Sequence, residues 1–122
     1  MKRCLIVDDA GVIRKVARHI VESLRFEVEE AESCQAGVEL CRAAMPDVIL
    51  LDWQAPPMSA TEFLAAVRAL PDGRRPAIVY CTTEQDPVDI SRAYSAGADS
   101  YLLKPFDRPS IEAKLGEIVA AA

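Results

Sequence analysis

The sequence has no long apolar segment. Its apolar runs are broken well before the ~18 residues that a membrane-spanning helix needs. The N-terminal stretch "MKRCLIVDD" has four apolar residues between basic and acidic pairs, which is too short for the core of a signal peptide. We therefore expect a cytoplasmic protein with no membrane partner.

Metal-binding cysteine pairs, glycine-rich loops and excess positive charge are also missing. The four cysteines form no C-x-x-C pair and fall largely within apolar patterns, so they are predicted to be small core residues. The absence of a Gly-x-Gly or P-loop pattern argues against a flavin- or nucleotide-binding module. The net charge of −5 argues against nucleic acid as a partner. The single histidine, His19, is predicted to lie at the surface.

What the sequence does contain is an alternation of strand and helix patterns. Amphipathic helical periods follow each of five apolar stretches, which read "CLIVD", "FEVEEA", "VILLD", "AIVYCT" and "SYLLK". The fourth helix has clear limits, since Asp86 can cap it, Pro87 suits its first turn and Gly97 suits its end. This order predicts a (βα)₅ α/β domain with a parallel sheet and right-handed crossovers. Residues 1–122 are expected to form this one domain, with no output domain.

Polar residues follow four of the five strands, where the ligand crevice of such a sheet lies. They are three acids, a hydroxyl and an amine: Asp8, Asp9, Asp52, Thr82 and Lys104. Neighbouring carboxylates raise one another's pKa, and a magnesium ion relieves their repulsion. Asp52, the central acid, is then a candidate nucleophile that forms an acyl phosphate.

Other interpretations of this cluster remain open. Lys104 could simply neutralise Asp52 in a structural ion pair. A hydrolase with an aspartyl nucleophile would need a general acid two residues after that nucleophile, where Gln54 stands and cannot serve.

The segments "LIVDDAGVIRKV", "DVILLDW", "YCTT" and "AGADSYLLKPF" resemble the signature segments of bacterial two-component response regulator receiver domains. The resemblance covers the whole chain and is strongest to stand-alone chemotaxis regulators of the CheY type, in particular the alphaproteobacterial kind. It implies a doubly wound, flavodoxin-like five-stranded sheet with strand order 2-1-3-4-5.

The resemblance also implies a role for each site residue. Asp52 would accept a phosphoryl group from a kinase phosphohistidine, and Lys104 would contact that group. Asp8, Asp9, Asp52 and the backbone carbonyl of Gln54 would hold Mg²⁺. Thr82 and Tyr101 would be the switch residues, and the bond before Pro105 would be cis. From the residues alone, Tyr101 is equally well a half-buried strand residue with its hydroxyl in water.

The loop after Asp52, "WQAPPMSA", departs from the family pattern. Ala60 stands where glycine is usual, which predicts a displaced start of the third helix. Thr83 replaces a usual alanine beside the switch threonine and would narrow access to the phosphoryl group. Gln54 and Glu84, together with Thr83, are predicted to tune hydrolysis of the phosphorylated form.

The expected partners follow from the resemblance. The protein would be a monomer that is not an enzyme, although it would assist its own phosphorylation and dephosphorylation. Its phosphoryl donor would be a CheA-like sensor histidine kinase or a phosphotransfer domain. The donor would dock against a basic face of the first helix formed by Arg14, Lys15 and Arg18. Alternatively, these three residues form an ordinary solvated helix face. Its α4-β5-α5 surface would contact a flagellar motor switch protein or a phosphatase. Alternatives are a phosphate sink or relay carrier, a regulator of another kinase or adaptor, and a pseudo-receiver that signals by binding alone.

Overall fold

The structure is a computed structural model that describes residues 1–55, 58–83 and 86–121, and for Ala121 the backbone only. Five strands alternate with five helices, as the sequence pattern predicts. Their bounds are β1 Arg3–Val7, α1 Gly11–Ser23, β2 Glu27–Ala31, α2 Cys34–Ala43, β3 Val48–Asp52, α3 Ala60–Arg68, β4 Ala77–Thr82, α4 Pro87–Ala96, β5 Ser100–Leu103 and α5 Arg108–Ala121. None of the described helices has the length and apolar character needed to cross a membrane.

The five strands form one parallel sheet in the order β2-β1-β3-β4-β5. This is the predicted α/β, doubly wound, flavodoxin-like arrangement with strand order 2-1-3-4-5. The register pairs Val7 with Leu51 and Leu51 with Tyr80, so the carboxyl ends of β1, β3 and β4 lie within two residues of one another at one edge of the sheet. Between β3 and α3, the short strands Gln54–Ala55 and Met58–Ser59 pair antiparallel outside the sheet.

The core has two layers, one on each face of the sheet. Leu5, Ile49 and Leu51 pack towards α2 and α3, and residues such as Ile6 and Leu50 pack towards α1 and α5. Every residue of β3 is buried, because this central strand is covered on both faces. Burying each large aliphatic side chain contributes about 2 kcal/mol to the free energy of unfolding. The packed strand β3 therefore gives a rigid support to Asp52, its last residue.

All four cysteines are buried and free, as predicted for small core residues. His19 is exposed, also as predicted.

Helices α3 and α4 begin with side-chain caps. Asp86 Oδ1 accepts a hydrogen bond from the Val88 N–H at 3.0 Å, and α4 ends at Gly97 with a φ of 125°. These are the predicted limits of the fourth helix. At α3, Ser59 and Glu62 form a reciprocal capping box, and the helix begins at Ala60. Ala60 is not among the described residues with positive φ, and the displaced start of α3 relative to the family pattern stays a prediction.

Candidate functional site

The carboxyl ends of β1, β3, β4 and β5 bring the predicted polar residues together. Asp8 and Asp52 are only 3% and 4% exposed, and Thr82 is fully buried. Lys104 follows β5 with a side chain that is 10% exposed, and its backbone N–H donates to the Thr82 carbonyl at 2.8 Å. Four separate segments therefore place an amine, two carboxylates and a hydroxyl in one largely desolvated site.

Lys104 bridges the two buried carboxylates. Its Nζ donates to Asp8 Oδ2 at 2.7 Å and to Asp52 Oδ1 at 2.8 Å. The Lys104–Pro105 peptide bond is cis, which is the geometry that the family resemblance implies. Hydrogen bonds between ionised groups are stronger than neutral ones, so this bridge fixes the positions of both acids.

The electrostatics of the site disfavour an ionised Asp52. Burial raises the pKa of Asp52, and the negative charges of Asp8 and Asp9 raise it further against the opposing effect of Lys104. Burial alone would lower the pKa of Lys104, but its hydrogen bonds to Asp52 and Asp8 raise it overall. Both pKa values are raised, so the single positive charge of Lys104 does not fully offset the burial and mutual repulsion of the carboxylates.

The donor set fits a hard divalent cation. Asp8, Asp9 and Asp52 each offer a carboxylate oxygen, and these oxygens lie within 4.8 Å of one another. Mg²⁺ prefers such oxygen ligands and keeps several of its own waters. Asp9 is exposed, which leaves the cluster open to solvent on one side. The residues present can therefore hold magnesium.

The structure places only two of the three residues that are predicted to tune hydrolysis. Gln54 and Thr83 are exposed beside Asp52 and Thr82, respectively. Glu84 lies outside the described residues, as do Pro56 and Pro57 of the unusual loop. The suggested roles of Gln54, Thr83 and Glu84 in hydrolysis stay predictions.

Tyr101 lies on β5 at the edge of the sheet, half-buried against the core. With Pro87, Ile90 and Tyr94 it lines a groove of about 560 Å³ between α4 and β5. Its half-buried ring suits both interpretations, a switch aromatic and an ordinary strand residue.

The three cations of α1 converge on one carboxylate that the sequence analysis did not single out. Glu30 on β2, with a side chain only 11% exposed, binds Arg14 Nε at 3.0 Å, Lys15 Nζ at 2.9 Å and Arg18 Nη1 at 2.8 Å. Arg14 also donates from Nη1 to the Asp8 carbonyl at 2.8 Å. These contacts could not be read from the sequence, because they depend on how α1 packs over β2. The three residues are thus an ion-pair cluster with partly exposed edges and not a purely solvated face.

Glu30→Gln is expected to destabilise the protein at pH 7 by about 2 kcal/mol. Burial raises the pKa of Glu30, but hydrogen bonds from Lys15, Arg18 and Arg14 lower it from 4.5 to about 2. A carboxyl with a depressed folded pKa stabilises fully above its unfolded value and loses that contribution as the pH falls. The difference between variant and wild type should therefore shrink between about pH 5 and pH 2, measured by urea unfolding. Glu39→Gln, on the exposed face of α2, is the control. If the stability difference between Glu30→Gln and wild type did not change with pH, the lowered pKa of Glu30 would be contradicted.

Comparison with known proteins decides the family. The sequence model of the protein family described as the response regulator receiver domain matches residues 4–116. The chain belongs to the response regulator receiver domain family. The receiver domain is 31% identical to the chemotaxis protein CheY of Halobacterium salinarum, with 98% of each chain covered. It is 30% identical to the phosphate regulon transcriptional regulatory protein PhoB of Escherichia coli, of whose length it spans 52%.

Solved structures share the fold of this receiver domain closely. The chemotaxis response regulator CheY4 of Vibrio cholerae superimposes with a TM-score of 0.92 at 30% identity, over 97% of this chain and 98% of that one. The receiver domain of the sensor histidine kinase PA1611 from Pseudomonas aeruginosa has a TM-score of 0.89 at 26% identity, with 98% of both chains covered. That structure has a magnesium ion coordinated in its active-site cleft. The chain is therefore a CheY-like receiver domain of two-component signalling, as its motifs indicate.

Proposed function

We propose that this receiver domain accepts a phosphoryl group on Asp52 in a magnesium-dependent reaction and signals through protein–protein contact. The observation that carries the proposal is the juxtaposition of Asp8, Asp9 and Asp52, with Lys104 bridging the two buried acids. The similarity to receivers supports it, and so does the magnesium ion in the PA1611 receiver domain.

The reaction exchanges one phosphorus bond for another. An Asp52 carboxylate oxygen attacks the phosphorus of a kinase phosphohistidine, the P–N bond breaks, and its electron pair stays on the imidazole nitrogen. Asp8, Asp9, Asp52 and the Gln54 backbone carbonyl would hold Mg²⁺, which supplies positive charge against the phosphoryl oxygens when bound. Lys104 presents N–H donors beside the acceptor oxygen, and its ammonium offsets negative charge on the phosphorylated Asp52.

Phosphorylation would change the surface at the far edge of the sheet. A phosphoryl group adds about two negative charges and three acceptors next to Thr82, at the end of β4. The Thr82 hydroxyl donates to one of these acceptors, and Tyr101 turns inward from the groove that it shares with α4. This movement reshapes the α4-β5-α5 surface, where an output partner would bind.

Incubation with acetyl phosphate and Mg²⁺ tests the proposed function. We expect intact mass spectrometry to find one added phosphoryl group and the fluorescence of Trp53, half-buried beside Asp52, to change. Chelation of magnesium should prevent both effects. Magnesium binding without any modification would contradict phosphoacceptor chemistry and favour a pseudo-receiver that signals by binding alone.

Gln54→Ala is expected to slow dephosphorylation several-fold, because a side-chain amide two residues after the acceptor can orient the attacking water. The measurement is the decay of the phosphorylated protein after the phosphodonor is removed. Gln35→Ala, exposed on α2, is the matched control. An unchanged rate in the double variant Gln54→Ala/Glu84→Ala would refute the role of these residues in hydrolysis.

Output through chemotaxis is the finer part of the proposal. The similarity to CheY of H. salinarum and CheY4 of V. cholerae supports a cytoplasmic, monomeric regulator that takes its phosphoryl group from a CheA-like kinase and binds a flagellar motor switch protein. A phosphate sink, a relay carrier or a target of a phosphatase would use the same acceptor chemistry. Phosphorylation-dependent binding to a motor-switch peptide separates the motor regulator from these alternatives.

We expect Arg18→Glu to slow phosphotransfer from the cognate kinase or phosphotransfer domain about tenfold. Arg18 and Lys15 keep part of their side chains exposed beside the exposed Val16, so this face of α1, together with Arg14, is the proposed docking surface. Phosphorylation by acetyl phosphate, which needs no docking, is the control and should not change. Equal slowing with both donors would contradict a docking role.

A further inference from the structure

Arg14 connects the turn after β1 to the neighbouring strand β2. Its Nη1 donates to the backbone carbonyl of Asp8 at 2.8 Å, and its Nε donates to Glu30 Oε1 at 3.0 Å. The Arg14 side chain is only 16% exposed, so both contacts are shielded from water. The carbonyl of Asp8 belongs to the peptide group that joins Asp8 to Asp9. Arg14 therefore fixes the orientation of the peptide between two candidate metal ligands.

The turn from Asp8 to Gly11 has few other supports. Ala10, the N-cap residue of α1, has no polar side chain with which to cap the helix. The backbone N–H of Asp8 is held by the Ala31 carbonyl at 3.0 Å, and Asp8 Oδ1 accepts from the Ala10 N–H at 2.9 Å. The backbone N–H of Arg14 also donates to the Ala10 carbonyl at 3.0 Å. Exposed Asp9 therefore lies between two held peptide groups, and the Arg14 guanidinium holds the one that joins it to Asp8.

We propose that Arg14, oriented by Glu30, is a positioning residue that sets the Asp8–Asp9 turn for magnesium binding. The inference rests on the proposed function, because it concerns the metal of that same site. Mg²⁺ requires near-ideal octahedral geometry, so a small rotation of this peptide displaces a ligand. Residues that orient metal ligands without touching the metal typically contribute 10–100-fold to its affinity.

Arg18 provides a matched comparison within the same cluster. It binds the other oxygen of Glu30, Oε2, at 2.8 Å and also pairs with Glu22. Its ion pairs thus use the other oxygen of Glu30 and a residue of α1 itself, whereas the Asp8 carbonyl is bound by Arg14. Removing either arginine takes one cation from Glu30, but only Arg14 also holds the peptide between the metal ligands.

The test measures magnesium affinity and stability separately. Mg²⁺ is titrated into wild type, Arg14→Ala, Arg14→Lys and Arg18→Ala with Trp53 fluorescence as the signal, and each protein is unfolded by urea in a chelator. We expect both Arg14 variants to raise the magnesium Kd about tenfold, since lysine lacks the fork that reaches two acceptors. Arg18→Ala should leave the Kd within about twofold, although it also lowers stability. Because Arg14→Lys keeps the charge beside Glu30, it covers the case in which Arg14→Ala fails to fold.

The outcomes are distinguishable. A Kd that rises in the Arg14 variants and not in Arg18→Ala supports the positioning role. An unchanged Kd in Arg14→Lys, or an equal rise in Arg14→Ala and Arg18→Ala, would overturn it and leave the proposed function intact. Failure of wild-type protein to bind Mg²⁺ would overturn the proposed metal site and this inference together.

Discussion

Asp52→Asn is expected to abolish phosphorylation by acetyl phosphate. Asparagine keeps the shape of the side chain at the end of buried β3, but its amide cannot serve as the nucleophile that forms an acyl phosphate. Intact mass spectrometry should show no added phosphoryl group at any magnesium concentration. Asp72→Asn, exposed in the turn after α3 and remote from the site, is the matched control and should be modified as wild type is. Continued modification of the Asp52 variant would assign the acceptor elsewhere.

The same substitution is expected to raise the free energy of unfolding in metal-free buffer at pH 7. The pKa of Asp52 is raised by burial and then by Asp8, so the folded state binds its proton more tightly than the unfolded state does. Ionising Asp52 therefore costs folding free energy at every pH above this raised pKa. The advantage of Asn should shrink as the pH falls towards the ordinary Asp value of 3.8. A variant that is less stable than wild type at pH 7 would contradict this account.

Lys104→Met is expected to lower the free energy of unfolding by about 3 kcal/mol in metal-free buffer, because it leaves two buried carboxylates without their cation. Added Mg²⁺ should stabilise this variant more than it stabilises wild type, since the ion no longer competes with the ammonium group for Asp8 and Asp52. Phosphorylation at saturating Mg²⁺ should slow about 100-fold, because a fixed positive charge beside the transferring group is lost. Urea unfolding with and without magnesium and the rate of modification measure these effects.

Lys2→Met is the control for Lys104→Met, since Lys2 is exposed near the opposite end of the sheet. We expect it to change stability by less than about 0.5 kcal/mol and to leave the rate of modification unchanged. Equal stability of Lys104→Met and wild type in a chelator would mean that the carboxylates are not ionised without the metal.

The site was predictable from the sequence to a large extent, and the reason is topological. Parallel strands that alternate with helices all end at one edge, so the acids after β1 and β3, the threonine of β4 and the lysine after β5 must meet there. Short polar residues that follow apolar runs locate those ends in the sequence. The family resemblance added the roles of these residues, of which the phosphoryl and switch functions stay predictions.

The contacts of α1 could not be predicted in the same way. Arg14, Lys15 and Arg18 show only that one face of a helix is basic, which is typical of both docking surfaces and solvated helices. Glu30 lies in an alternating edge strand, where an acid normally points to water. Which carboxylate the three cations bind depends on how α1 packs over β2, and that angle follows from side-chain packing across the whole layer.

Local sequence patterns were enough to predict the (βα)₅ order, the burial of β3, the limits of α4 and the set of polar residues at the strand ends. These features depend on local periodicity, on capping residues and on the fixed direction of parallel strands. The folded structure was needed to show that Lys104 bridges Asp8 and Asp52, that Glu30 binds three cations, and that Arg14 holds the peptide between Asp8 and Asp9. Such contacts join residues from different elements, and their distances are set by the packing of all the layers at once.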